Sequence, residues 1–119
     1  MDLVAGQMTW RFWEEFKRQA GRRGKEVFID PLDAWRLFEM QEGECAITGA
    51  KLDFNSRVYR GTASLDRIDN DGPYMQSNVH WTLAPINLMR GQHTLTYFHK
   101  LCYMVVQAAR IGPPFQKAG

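Results

Sequence analysis

The chain has 119 residues, of which 45% are apolar, 13% aromatic and 24% charged, enough for one globular domain and too few for a second core. Fifteen Lys and Arg against 13 Asp and Glu leave a net charge of +2, which does not by itself mark a nucleic-acid binder. No apolar run approaches the roughly 20 residues of a membrane span and residues 1–6 lack the order of a signal peptide, so a cytoplasmic protein with no membrane partner is expected.

Cys45 and Cys102 stand in unrelated segments, which excludes a disulfide framework and a four-cysteine zinc site. Both are expected to be core thiols.

A first helix opens at Thr9 as N-cap and runs to Ala20, because Trp10, Trp13, Phe16 and Ala20 recur every three or four residues and Gly21 stops it. Arg11, Lys17, Arg18, Arg22, Arg23 and Lys25 crowd this quarter of the chain. The run Arg22-Arg23-Gly24-Lys25 either holds phosphates or is a solvated helix end whose cations complement the helix dipole. A second helix has Asp30 as N-cap, Pro31 at its first position and Gly43 beyond its end, with Leu32, Trp35, Leu37, Phe38 and Met40 as its buried side.

Beyond Gly43 the periodicity changes. Cys45 to Phe54 reads as two short strands around Gly49-Ala50, followed by a polar loop over Asn55–Gly61. Thr62–Ile68 and Val79–Leu83 read as strands joined by the turn-rich loop Asp69–Ser77. Pro85 then opens a short helix that Gly91 interrupts. A last helix runs from about Thr94 to Arg110, and Gly112-Pro113-Pro114 ends it, leaving a loose tail. The expected fold class is α+β in a single domain over 1–119, with a helical, basic segment (8–43), a strand, strand, helix centre (44–91), a C-terminal helix (94–111) and the tail (112–119). Tyr74, Trp81, Tyr97 and His99 read as structural residues of the core.

Thr62 to Arg90 concentrates the polar residues: Ser64-Leu65-Asp66-Arg67-Ile68-Asp69, then Asn78-Val79-His80-Trp81, then Asn87-Leu88-Met89-Arg90. A hairpin packed on the helix after it would bring Asp66, Asn78 and Asn87 together. This pattern resembles the HNH endonuclease family, whose active site is a ββα-metal unit. The nine residues from Asn78 to Asn87, and the basic Arg90 three positions later, match the family's spacing. The wording of the segment looks like a phage-type branch, which implies a phage or mobile-element protein acting in a bacterial host. The resemblance is specific over 44–90 and loose outside it.

Many relatives carry two Cys-x-x-Cys pairs around a structural zinc. Here Cys45-Ala46-Ile47-Thr48-Gly49 and Leu83-Ala84-Pro85-Ile86 stand in their places, so no structural zinc is expected and hydrophobic contact should hold the hairpin to the helix.

The resemblance implies a metal-dependent DNA endonuclease using Mg²⁺ or Mn²⁺. Asp66 and Asn87 fall on the metal-ligand positions, an oxygen donor set suited to a hard cation. Asn78 falls where the family orients the base and the loop. The base position itself holds Arg67, which stays protonated and so can contact phosphate but not accept a proton.

His80, His93 and Asp69 are the substitute bases. His80 is favoured because an extended strand projects it to the same side as Asn78 and an imidazole ordinarily titrates near 6.5. Arg18, Arg22, Arg23, Lys25 and Arg90 are the expected phosphate contacts. Two other classes of function stay open: a catalytically silent nucleic-acid-binding module, and a regulatory or protein-interaction protein on the same scaffold. A homodimer through the apolar last helix is equally open.

Overall fold

A computed structural model of the chain describes residues 3–54 and 62–112. These form a mixed α and β protein with four helices and two small antiparallel sheets. The polar loop over 55–61, and the tail beyond 112, lie outside the described residues. By packing, the chain divides into two compact units, Met1–Met89 and Arg90–Gly119.

In the first unit, β1 (Leu3–Ala5) pairs with β2 (Met8–Thr9), a hairpin not anticipated from so short a segment. Its turn needs Gly6, which sits at φ +52° with the Trp35 ring where a Cβ would be.

α1 (Trp10–Arg22) starts where expected, with Thr9 Oγ1 accepting the Phe12 N–H at 3.0 Å, but runs two residues past Ala20. Gly21 is therefore inside the helix, and Gly24, at φ +67°, takes the left-handed turn instead. α2 (Pro31–Met40) is capped by Asp30, whose Oδ1 accepts from Leu32 N at 2.8 Å. Its buried face is centred on Ala34 and Phe38, flanked by Trp35 and Leu37. Leu32 and Met40 are exposed, contrary to expectation, because the buried stripe is narrower than the apolar one.

The two strands expected within Cys45–Phe54 are not formed. A tight turn stands there, closed by one Glu44–Lys51 bridge and by Cys45 N–H donating to the Ala50 carbonyl at 2.8 Å. β3 (Ala63–Arg67) and β4 (Val79–Leu83) pair antiparallel from Ala63 opposite Leu83 to Arg67 opposite Val79. A single 3-10 turn, Gln76–Asn78, enters β4, and α3 (Ala84–Arg90) follows β4 with no intervening loop.

Trp81 fixes the centre of the core. It is fully buried, its ring meets Phe38 and Phe54 edge-on at 5.7 and 5.3 Å, and its Nε1 donates to the Ala34 carbonyl at 2.8 Å. The Gln41 side chain then completes the outer edge of β4, accepting from Trp81 N at 2.8 Å and donating to Trp81 O at 3.0 Å. A two-stranded sheet thereby has the edge of its buried strand hydrogen-bonded.

The second unit is built on α4 (Leu95–Ile111), where Thr94 Oγ1 accepts from Tyr97 N at 3.1 Å and Phe98 is buried. Tyr97 and His99 lie exposed on it instead of in a core, and Cys102 is half-buried. No helix among the described residues is long and apolar enough to cross a membrane.

Candidate active site

The register of the β3–β4 pair sets Asp66 opposite His80. Asp66 is only 8% exposed. Its Oδ1 accepts the Arg67 N–H at 2.8 Å, and its Oδ2 lies 3.8 Å from His80 Nε2. That separation is too long for a hydrogen bond. His80 Nε2 is buried and has no hydrogen-bond partner among the described residues.

Because α3 begins directly after β4, Asn87 sits within its first turns and returns over β3. The end of its amide is 2.9 Å from both Asp66 carboxylate oxygens, and its other arm is 3.0 Å from Ser64 Oγ. Two orientations satisfy Ser64. With Nδ2 toward Asp66, the amide donates to both carboxylate oxygens and Oδ1 accepts from the Ser64 hydroxyl. With Oδ1 toward Asp66, Nδ2 donates to Ser64 Oγ and three oxygens face one another, an arrangement that is repulsive without a cation among them.

The other expected residues take different places. Arg67 is buried, its Nη1 donating to the carbonyls of Asn70 and Gly72 while the guanidinium lies 5.3 Å from the centre of the Tyr74 ring. It clasps the loop from within. Asn78 clasps the same loop from the far side: its Oδ1 accepts from Asp69 N at 2.9 Å, and its Nδ2 donates to the carbonyls of Asp69 and Pro73, both at 3.0 Å. Gly72 is required beside it, because a Cβ there would stand 2.7 Å from Asn78 Nδ2. The Asp69 carboxylate accepts from Asp71 N and so belongs to the loop.

Arg90, 1% exposed, donates from Nε to the His93 carbonyl at 2.9 Å. It is thus buried away from the surface where a phosphate contact was expected, and it and His93 belong to the second unit. Arg18 and Arg23 line a cleft that reaches Ser64 and Asn87, together with Arg11, which the basic cluster contains but which the expected contacts omit. Arg22 and Lys25 are not among its lining residues. Ser64 is also absent from the expected site, although alternation along β3 places it on Asp66's face.

Around Cys45, apolar contact is not the whole of the attachment. Cys45 Sγ accepts the backbone N–H groups of Ile47 and Thr48 at 3.4 Å each and of Leu83 at 3.2 Å, which joins the turn to the residue preceding α3. Burial alone would push the thiol up, but these bonds together with the Thr48 side chain outweigh it and hold the thiol below its ordinary value of 9.0. Among the described residues, no three or more His, Cys, Asp and Glu side chains converge as a metal cluster.

Comparison with known proteins finds no family model and no curated protein that matches this chain.

Proposed function

We propose that the chain is a small divalent-metal-dependent endonuclease of the HNH type that hydrolyses phosphodiester bonds in DNA. The observation that carries this reading is the meeting of the Asp66 carboxylate with the Asn87 amide at 2.9 Å, on a strand, loop, strand, helix path whose wording resembles that family.

The donor set fits a hard cation. Oxygens at right angles around Mg²⁺, each about 2.1 Å from the ion, stand about 3.0 Å apart, close to the separation found here. A bound ion would polarise the scissile phosphate and stabilise the departing oxyanion. Asp66 and the Asn87 carbonyl would hold it, with Ser64 keeping the amide turned. His80 Nε2, buried and facing Asp66, takes the proton of the attacking water. Arg67 and Asn78 hold the loop closed around that strand pair and have no direct part in proton transfer.

Supercoiled plasmid incubated with the protein in Mg²⁺, Mn²⁺ or EDTA tests the proposal. Nicking is expected with either metal and not with EDTA. Asp66→Ala and Asn87→Ala should each lower it by at least about a hundredfold, since the cation contributes several kcal/mol. His80→Ala should lower it by about a hundredfold or more. Plasmid left intact with both metals by folded wild-type protein overturns the reading.

A further inference from the structure

The first unit contains a cleft of about 980 Å³ between α1 and β3. Its rim carries the guanidinium groups of Arg11, Arg18 and Arg23, against the single carboxylate of Glu15, which pairs with Arg18. Its floor is aromatic, with the half-buried rings of Phe12 and Phe16. At one end stand Ser64 and Asn87.

We infer that this cleft takes a single polynucleotide strand, its backbone along Arg11 and Arg18 and an unpaired base over Phe12 and Phe16. Arg11 and Arg18 are seven residues apart, hence on one side of α1 and about 10 Å apart along its axis. That distance corresponds to about three nucleotide steps of 3.4 Å in a stacked strand. Phosphates alone would not call for an aromatic floor. A duplex offers only base edges in its grooves, whereas ring-on-ring contact needs the face of an unpaired base. Arg23, whose Nη2 donates to the Tyr74 hydroxyl at 2.7 Å, adds positive charge beyond the C-terminal end of α1. The inference rests on the nuclease reading for the role of Asn87 at the end of the path, and not for the binding itself.

Fluorescence anisotropy in EDTA, with a short labelled DNA strand and the corresponding duplex, separates the two. The single strand should bind more tightly than the duplex. Arg11→Gln combined with Arg18→Gln should weaken binding and reduce the slope of log K against log salt by about 1.4, two contacts at about 0.7 each. Gln19→Glu, which sets a second carboxylate on the rim, should also weaken it. Arg36→Gln with Lys51→Gln removes the same charge from exposed positions outside the cleft and should leave the slope unchanged.

Equal affinity for the duplex, or a wild-type slope in the folded Arg11/Arg18 variant, overturns the inference even if plasmid is nicked. Intact plasmid together with the expected binding pattern overturns only the nuclease reading.

Discussion

Ser64 is the smallest residue on which the proposed chemistry turns. Its hydroxyl can accept from or donate to Asn87, so it is a partner for either orientation of that amide. Ser64→Ala should therefore reduce metal-dependent nicking about tenfold or more and raise the metal concentration needed for half-maximal rate, while Ser64→Thr restores both. A purely structural role would leave the metal dependence unmoved. That Asp66 and Asn87 meet was legible in the sequence, because a hairpin followed at once by a helix brings the end of one strand to the helix's first turns. Ser64 has its own signal in the alternation of β3, which sets it on the same face as Asp66. Where the Arg67 guanidinium goes was not legible, because it depends on a loop closing back onto its own strand. Cys45 gives a pH dependence of stability. Its thiol is held below 9.0 in the folded chain, so between the folded value and 9.0 the unfolded chain carries more protons and stability rises with pH. This contribution is complete above 9.0 and is lost as pH falls through the folded value. Urea midpoints of wild type and Cys45→Ala should thus diverge as pH is raised across that interval.

Among the elements, helices were read more accurately than the sheets. Thr9 and Asp30 each cap the helix expected of them, because a cap is a local bond between a side chain and a backbone two or three residues away. The β1–β2 hairpin escaped notice because five residues of strand carry almost no periodicity. The strands expected in Cys45–Phe54 failed because the sulfur of Cys45 draws the Ile47 and Thr48 N–H groups inward and so bends the backbone out of an extended path. The edge of β4 depends on a side chain 40 residues away in sequence, which no window along the chain reveals. Gln41→Ala leaves the buried Trp81 N–H without the acceptor it now has. It should cost about 1–3 kcal/mol, read as a lower urea midpoint at unchanged slope.

Across the whole molecule, the proposed machinery lies in one of the two units: Ser64, Asp66, His80 and Asn87 all precede Arg90. The sequence predicts a single domain over 1–119, and the division at Arg90 has no counterpart in composition. A cation that binds only the folded first unit must stabilise it, by about 2.7 kcal/mol at a hundredfold excess over its dissociation constant. Mg²⁺ should therefore raise the melting temperature of wild type and leave that of Asp66→Ala where it was, as differential scanning calorimetry would show.

The three N–H groups gathered on the Cys45 sulfur act as a buckle between distant stretches of backbone, and a buckle of that kind does not answer to chelators. On the nuclease reading, EDTA should therefore act as a reversible off-switch, silencing cutting while the melting curve stays that of the metal-free protein. Restored divalent cation should then bring activity back without any refolding delay.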